Sequence, residues 1–368
     1  MSKKKIVIIA NTSWFVLNFK SGLIKSLQDL GHDVIVVAPK DEYSNILEKM
    51  GCLFYDIYIN NKGTNPLEDL LLIYRFYKLF LKIKPDILLL HTIKPNLYAS
   101  FAGRISSVPV INTITGLGTV FLNDNFSSKI ARFLYSISLK SSKKVFFENP
   151  DDRQLFIDKK LVSSKKTDII AGSGINTDVY KPFEENIQNQ NLTFMMIARL
   201  VKDKGIIEYI EAIKIIKEKY PNIVFKLLGT LYPGNPTAVS EDELNSWIDE
   251  GLINYLGHSD DVMSEILKVD CVVLPSYREG LSRVLLEAGS LAKPIITTNT
   301  PGCKDVVDDG INGFLCEVKN SADLAVQMEK MINLSQDQRV HMGMKSRKKI
   351  INEFDEQLVI KKYLKNIK

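Results

Sequence analysis

The sequence predicts an α/β protein with two domains, each built on a doubly wound parallel sheet. Short apolar runs alternate with longer helical patterns through both halves of the chain, which is typical of parallel sheets with helices on both faces. The 368 residues are enough for two domains of ordinary size. A polar stretch with little periodicity, residues 176–191, separates the two series of elements and is interpreted as a linker.

The apolar runs place the expected strands. In the first half they are residues 5–10, 33–38, 53–58, 87–90, 108–112, 145–147 and 167–170. In the second half they are residues 192–198, 223–228, 253–256, 271–274, 294–297 and a short piece near 314. We therefore divide the chain into a first domain (1–175), the linker (176–191), a second domain (192–352) and a final helix (353–368).

Charge and cysteine usage narrow the class of protein. Residues 1–170 carry 24 Lys and Arg against 15 Asp and Glu, whereas the remainder carries 24 against 28. No nucleic-acid-binding signature accompanies the basic half, so an anionic membrane surface is the better partner for it. The four cysteines form no Cys-x-x-Cys pair, and neither a signal peptide nor an apolar run of about 20 residues is expected. We expect a cytoplasmic protein, peripheral at the inner face of the membrane.

The most informative segment lies between the strand at 271–274 and the next helix. Gly280 permits a tight turn, and Ser282 can cap a helix predicted over 283–291. The free N–H groups at the start of that helix suit a diphosphate. Glu279 and Glu287 stand eight residues apart, so their carboxylates could reach hydroxyls on opposite sides of it. The alternative is an exposed helix with scattered acids.

Two cations stand at a second strand-to-helix turn. Arg199 and Lys204 follow the strand at 192–198 and precede a helical pattern over 206–220. A guanidinium fork and a compact ammonium are the usual groups that neutralise a diphosphate and the charge that grows on it as it leaves. The alternative is that Arg199 pairs with a nearby carboxylate and Lys204 is solvated.

These residues resemble those of glycosyltransferase family 4, the retaining nucleotide-sugar transferases of GT-B fold. The resemblance rests on residues 197–200 with Lys204 and Gly205, and on the Glu-x7-Glu spacing of Glu279 and Glu287. Further matching segments are residues 149–153, 172–176, 256–258 and 310–314. In the first half, residues 91–96 and 115–118 resemble the capsule and O-antigen branch, which includes the N-acetylgalactosaminyltransferases of bacterial N-glycan assembly.

The resemblance implies two Rossmann-like domains facing a central cleft, with the final helix packed on the first domain. The implied catalytic residues are Arg199, Lys204 and Glu279. The implied nucleotide-sugar contacts are Gly280, Leu281, Ser282, Arg283, Glu287 and His258, with Glu287 on the ribose and His258 near the base. The implied reaction moves a hexose or N-acetylhexosamine from a UDP-sugar to an undecaprenyl-diphosphate-linked sugar. No Asp-x-Asp motif is present, so no metal or other cofactor is expected.

The first domain is expected to bind the acceptor. The turn after strand one lacks Gly-x-Gly-x-x-Gly, which argues against a dehydrogenase. It offers polar groups that either bind a ligand or only terminate the strand. Many family 4 enzymes have a histidine near position 115, where this chain has a threonine, so the contact to the donor sugar there is in doubt. The expected acceptor contacts are Asn11, Thr12, Ser13, His91, Lys94, Thr115 and Gly116.

Two helices of the basic half are candidates for membrane contact. Residues 65–86 and 126–144 combine apolar and aromatic side chains with Lys and Arg. The alternative is that both are ordinary helices covering the sheet, whose cationic stems lie over apolar neighbours.

Two further functions are compatible with the sequence. One is a sugar-nucleotide epimerase of the same fold, which needs no acceptor and no membrane. The other is a non-catalytic sugar-nucleotide sensor, against which the intact set Arg199, Lys204, Glu279 and Glu287 argues.

Overall fold

The computed structural model describes residues 2–60, 63, 65–117, 126–182 and 191–367. Two compact units make up the chain: Met1–Ser173 together with Glu356–Lys368, and Gly174–Asp355. Residues 183–190 of the predicted linker lie outside the described residues. Gly118, in the first half of the chain, also lies outside them. Residues 174–182 belong to the second unit.

The elements alternate between strand and helix through most of each unit. The strands are β1 (Lys5–Ile9), β2 (Asp33–Ala38), β3 (Leu53–Asp56), β4 (Ile87–His91), β5 (Val110–Ile114), β6 (Lys144–Phe147), β7 (Thr167–Ile169), β8 (Thr193–Ile197), β9 (Val224–Leu228), β10 (Asn254–Gly257), β11 (Cys271–Leu274), β12 (Ile295–Thr298) and β13 (Gly313–Cys316). The α-helices are α1 (Ser13–Asp29), α2 (Ser44–Lys49), α3 (Pro66–Ile83), α4 (Ser100–Ile105), α5 (Phe126–Ser138), α6 (Pro150–Asp158), α7 (Ile206–Lys219), α8 (Glu241–Asp249), α9 (Val262–Leu267), α10 (Arg283–Ser290), α11 (Ser321–Asn333), α12 (Gln336–Lys349) and α13 (Glu356–Ile367). Short 3-10 or π helices cover Pro95–Ala99, Leu139–Ser141, Ser164–Lys166, Lys202–Lys204, Lys304–Val306 and Ile350–Phe354.

The first unit contains a seven-stranded parallel sheet in the order β3-β2-β1-β4-β5-β6-β7. Successive residues of β1 face opposite sides of it: Val7 and Ile9 join one buried core, and Ile6 and Ile8 join the other. Because both faces are covered, the strands are near-continuous apolar runs rather than alternating ones. The strand order reverses between β1 and β4, and ligands of such sheets bind outside the carboxyl ends of strands at a reversal.

The second unit repeats the plan with six parallel strands, in the order β10-β9-β8-β11-β12-β13. Its order reverses between β8 and β11. The turns that follow these two strands carry the acidic and basic residues singled out in the sequence, so the topology brings both turns to one edge.

Helix α3 shows how local sequence fixes an element. The Asn65 side chain accepts the backbone N–H of Leu67 at 3.0 Å, and Pro66 occupies the first helical position, where no N–H is needed. Glu68 and Asp69 lie in the first turn, near the positive end of the helix dipole. Lys84 ends the helix with a left-handed backbone.

Helix α13 packs on the first unit. Its Tyr363 is buried, and the phenol oxygen lies 2.6 Å from Oγ1 of Thr113 on β5. The ring also meets that of Phe146 edge-on, with centroids 5.1 Å apart. This helix therefore completes the core of a unit from which it is distant in sequence.

The predicted fold class is confirmed by two parallel-sheet α/β units. Each of the thirteen expected strands is present, with ends that differ by at most two residues. Strand β3, for example, stops at Asp56 rather than at residue 58. Among the described helices, none combines the length and apolar character needed to cross a bilayer.

Candidate active site

Two turns at the carboxyl edge of the second sheet contact each other directly. The turn after β8 and the turn after β11 are joined by the backbone N–H of Tyr277, which donates to the carbonyl of Asp203 at 2.9 Å. Gly205 has a left-handed φ of 78°, and a Cβ there would lie 2.0 Å from the carbonyl oxygen of Pro275. The two motifs that are about 75 residues apart in sequence thus form one site, at the reversal point of the sheet.

Lys204 and Glu279 form an ion pair across these turns. Lys204 Nζ lies 2.5 Å from Oε1 of Glu279, and the two side chains are 20% and 14% exposed. The sequence assigned these groups to different parts of one ligand, and the alternative for Lys204 was a solvated side chain. The structure instead pairs them with each other, so a diphosphate entering here would compete with Glu279 for the ammonium.

Arg199 is exposed and lies beside an aromatic ring. Its guanidinium carbon is 5.0 Å from the ring centroid of Tyr232, within cation–π range. Tyr232 belongs to the turn after β9, whose approach to the turn after β8 is fixed by a bond from Leu200 N to Thr230 O of 2.9 Å. The ring restrains the guanidinium at the same edge of the sheet as Lys204.

A third turn, which the sequence did not reveal, holds the Glu279 loop in place. The N–H of Glu279 donates to the carbonyl of Pro301 at 3.1 Å, and the N–H of Ser282 donates to that of Gly302 at 3.2 Å. Gly302 has a φ of 78°, and a Cβ at this position would lie 2.4 Å from the Glu279 carbonyl oxygen. The only sequence signal is the pair Pro301 and Gly302 just after β12, a common turn dipeptide.

Replacement of Gly302 by Ala is expected to lower kcat/KM by about 10- to 100-fold, because the new methyl group must displace the backbone that carries Glu279. Steady-state assays of the purified variant check this. Gly310 is the matched control: its φ is 73°, but a Cβ there meets nothing within 4 Å. Gly310→Ala therefore carries the same backbone strain without the clash, and equal losses in the two variants would contradict the proposed loop contact.

Helix α10 begins at Arg283, as the sequence predicts, but its start differs in detail. Ser282 occupies the N-cap position and is nearly buried, yet its side chain makes no capping hydrogen bond. Gly280 does not adopt a left-handed backbone, whereas Gly205 and Gly302 do. The left-handed conformations occur where a neighbouring turn approaches. The expected role of Ser282 as a side-chain cap is wrong, whereas the chain does bend at Gly280, without a left-handed φ. Leu281 lies between them at the entry to the helix.

Glu287 lies on α10 in a buried cluster. Its Oε1 accepts a hydrogen bond from Nε of Arg283 at 2.9 Å, one helical turn earlier. Burial raises the pKa of Glu287, and the Arg283 guanidinium and the Tyr180 phenol act against that rise. Arg283 is thus the counter-ion of Glu287, and its expected contact with the nucleotide-sugar stays a prediction.

His258 lies at the end of β10, separated from β8 by β9. Its side chain is exposed, and Nδ1 is 3.8 Å from a carboxylate oxygen of Asp260. The structure therefore does not bring His258 into contact with the ion pair of Lys204 and Glu279.

Three polar residues, Asn11, Thr12 and Ser13, follow β1 in the first unit, and the side chains of two of them make hydrogen bonds within the unit. The Thr12 hydroxyl caps α1 by accepting the N–H of Phe15 at 3.1 Å. Ser13 is fully buried and donates to the Asp41 carboxylate. Asn11 is partly exposed at the strand end. For Thr12 and Ser13 the structure favours the alternative that they terminate the strand and begin the helix.

His91 is fully buried at the end of β4, so an acceptor has no surface of it to contact. Its ring packs against those of Phe15 and Tyr363, with centroids 5.7 and 6.2 Å away. Burial, with the charge of nearby Lys20, holds the pKa of His91 well below its usual range. The expected direct contact between His91 and the acceptor is therefore wrong: His91 is a residue of the buried core.

Lys94 is neutralised by a partner. Its Nζ lies 2.8 Å from Oδ1 of Asp69, whose other oxygen accepts the Tyr98 hydroxyl at 2.6 Å. Lys94 and Asp69 line a pocket of about 230 Å³ with Asn60 and Glu68. The lining also includes Arg75 and the apolar residues Leu71 and Leu72. The pairing with Asp69 leaves the Lys94 ammonium less available to an acceptor phosphate.

Thr115 and Gly116 follow β5 and are partly exposed, and Gly116 has a left-handed φ of 103°. This backbone is open to close approach by a ligand, as the sequence suggested. Gly118, two residues further on, lies outside the described residues.

Comparison with known families covers most of the chain. The family described as Glycosyl transferases group 1 matches residues 180–349, and that described as Glycosyl transferase 4-like matches residues 5–149. Both matched families are glycosyltransferases, in agreement with the resemblance to glycosyltransferase family 4. The first match covers the two turns, Tyr180 and α10, and the second covers most of the seven-stranded sheet. The protein is therefore a glycosyltransferase.

The names of two relatives of this glycosyltransferase state that they act on lipid-linked sugars. The N,N'-diacetylbacillosaminyl-diphospho-undecaprenol alpha-1,3-N-acetylgalactosaminyltransferase of Campylobacter jejuni is 26% identical over 378 residues, covering 98% of this chain and 97% of the relative. The UDP-Gal:alpha-D-GlcNAc-diphosphoundecaprenol alpha-1,3-galactosyltransferase of Escherichia coli is 25% identical, covering 78% and 76%. A glycosyltransferase structure from Rickettsia africae matches with a TM-score of 0.82 at 21% identity, covering 100% and 98% of the chains, which shows a shared GT-B fold.

Proposed function

We propose that this glycosyltransferase moves a hexose or N-acetylhexosamine from a UDP-sugar to a sugar carried on undecaprenyl diphosphate, with retention of configuration at the anomeric carbon. The two named relatives use acceptors of that chemical class, and one of them uses UDP-Gal. In the second unit, the observation that carries the proposal is the meeting of Lys204, Glu279 and the start of α10 at the reversal point of the sheet.

The proposed chemistry follows from the charges at that edge. Arg199, Lys204 and the positive end of the α10 dipole would bind the diphosphate and stabilise the charge that develops on it as the glycosidic bond breaks. Binding the diphosphate would take Lys204 from Glu279, whose carboxylate is then free to accept donor-sugar hydroxyls. Glu287 would accept the ribose hydroxyls.

The stereochemical part of the proposal is retention. The acceptor hydroxyl would attack the anomeric carbon on the face from which UDP leaves. Its proton would pass to the departing phosphate oxygen, so the new glycosidic bond forms as the old one to phosphate breaks. Because two cations and a helix start would face the leaving group, we propose that no divalent metal is needed for this step.

Product analysis tests the proposal. A panel of UDP-sugars is incubated with short-chain polyprenyl-diphosphate saccharides, with and without EDTA, and the anomeric configuration of the product is read by NMR. We expect UDP release that depends on acceptor, a product with the donor's configuration, and a rate that EDTA changes less than about twofold. An isomerised UDP-sugar without acceptor would indicate the epimerase, and binding without turnover would indicate the sensor. Loss of rate in EDTA that Mg²⁺ restores would contradict the metal-independent step.

We also propose that α3 carries the contact with the membrane surface. Leu67, Leu70, Leu71 and Tyr74 are exposed along one stripe of the helix. Lys78 Nζ lies 4.9 Å from the Tyr74 ring centroid, which places a cation beside the apolar stripe. A helix with exposed apolar residues and flanking cations can lie in the interface of a bilayer that carries anionic lipid. The acceptor's lipid would then remain in the bilayer near the unit that binds its sugar.

Leu70→Asp is expected to reduce co-sedimentation with vesicles of phosphatidylglycerol and phosphatidylethanolamine about tenfold, because it places a charge on the buried side of the contact. Val326, an exposed apolar residue on α11 of the second unit, supplies the control Val326→Asp. Equal sedimentation of the Leu70 variant and the wild type would contradict the role of α3.

A further inference from the structure

Tyr180 is the residue that connects the start of the second unit to the carboxylate of Glu287. It lies in the segment 174–182, which has no helix or strand of its own. Nothing in the sequence patterns singled it out. In the structure its ring faces Arg283, whose guanidinium carbon is 5.9 Å from the ring centroid.

The backbone of Tyr180 is fixed from two helices. Its carbonyl accepts the Ser290 hydroxyl of α10 at 2.5 Å and Nη1 of Arg347, on α12, at 2.9 Å. Arg347 Nη2 also donates to the carbonyl of Thr177 at 3.2 Å. The segment is therefore held against α10 by hydrogen bonds to its backbone. The Tyr180 phenol takes no part in these bonds.

That phenol completes the surroundings of a buried carboxylate. Two ionisable side chains act on Glu287: Arg283 from its own helix, and Tyr180 from the segment packed against that helix. Arg347 of α12 directs its guanidinium to backbone carbonyls instead. The Arg283 bond reaches Glu287 through Oε1. A phenol that donates to the carboxylate stabilises its ionised form and limits its rotation.

We propose that Tyr180 is a positioning residue of the nucleotide site, whose hydroxyl orients the Glu287 carboxylate for the ribose hydroxyls of UDP. This inference rests on the proposed function, since it assumes that Glu287 accepts those hydroxyls. Ribose hydroxyls donate more strongly to the ionised carboxylate than to the protonated one, so Tyr180 also affects the pH range over which UDP binds well.

The variant Tyr180→Phe tests the role, because it keeps the ring and removes only the hydroxyl. We expect UDP affinity, measured by calorimetry at pH 8, to fall about threefold to tenfold. Without the hydroxyl the pKa of Glu287 rises further, so the loss of affinity on acidification should begin at a higher pH than in the wild type. The titration of UDP itself is common to both proteins and cancels in the comparison.

Two further variants make the result decisive. Tyr220→Phe removes a phenol that donates to the Glu329 carboxylate at 2.8 Å elsewhere in the same unit, and it should leave UDP binding unchanged at every pH. In a Glu287→Gln background, which has no ionisable carboxylate at this position, Tyr180→Phe should no longer shift the pH profile. That loss of coupling is a result that a merely structural role of Tyr180 would not give.

The outcomes separate this inference from the function on which it rests. If the wild type binds UDP and Tyr180→Phe has the same affinity and pH profile, the role of Tyr180 is overturned and the proposed function stands. If the shift persists in the Glu287→Gln background, the phenol acts through another group and the inference is also overturned. If the wild type does not bind UDP, both are overturned.

Discussion

Replacement of Lys204 by Ala is expected to lower kcat by about 100- to 1000-fold with little change in fold. Removing one preorganised group that stabilises developing charge in a protected site costs about that much in other enzymes. Lys204 is mostly buried at the contact between the turns after β8 and β11, where its charge is less screened than on an open surface. Single-turnover measurements with saturating donor isolate the chemical step, and circular dichroism checks the fold.

The chain provides a matched control two residues earlier. Lys202 lies in the same short 3-10 helix, but its Nζ pairs with Glu243 at 3.0 Å, and both side chains are considerably more exposed than the Lys204 pair. Lys202→Ala should therefore change kcat by less than about threefold, as exposed ion pairs contribute little. Similar losses in both variants would show that the effect is general electrostatics of the turn, and near-normal turnover of Lys204→Ala would remove the proposed role.

Glu287→Ala is expected to weaken UDP binding by about 10- to 100-fold while leaving the choice between sugars unchanged. The carboxylate is proposed to accept ribose hydroxyls, and a hydrogen bond to a charged group contributes roughly 1.5–3 kcal/mol. The substitution also leaves Arg283 without its partner at 2.9 Å, so some loss of thermal stability should accompany it. Calorimetry with UDP alone measures the first effect, and competition between UDP-sugars measures the second.

Glu265→Ala controls for the removal of a paired glutamate from a helix of the same unit. Its partner is Lys268, 2.7 Å away on the surface, and UDP affinity should not change. A Glu287 variant that binds UDP as tightly as the wild type, or that changes sugar preference instead of affinity, would contradict the assignment of Glu287 to the ribose.

The second unit was the more predictable from sequence, for a topological reason. Apolar runs locate β8 and β11, and a parallel sheet with short connections brings the turns after neighbouring strands together. Lys204 and Glu279 could thus be expected at one edge, although their direct pairing could not. The contributions of Gly302 and Tyr180 depend on which loop packs against which, and no periodicity in the sequence encodes that.

In the first unit, the orientation of polar side chains at strand ends could not be predicted from the sequence. A polar side chain at the end of a strand can face outward to a ligand or inward to the next element, and the sequence does not distinguish the two. Ser13 turned inward to Asp41, and His91 turned inward between Phe15 and Tyr363. Lys94 is paired with Asp69, a residue of the preceding helix. Each outcome depends on a tertiary neighbour rather than on local pattern.

The position of α13 has a consequence for how the protein forms during synthesis. The second unit is one uninterrupted stretch, so all of its residues leave the ribosome before Glu356–Lys368 do. The first unit, although translated earlier, lacks the buried Tyr363 and its partner bond to Thr113 until then. A premature stop codon just after Asp355 would therefore destabilise the first unit, which is distant in sequence, and leave the second unit intact.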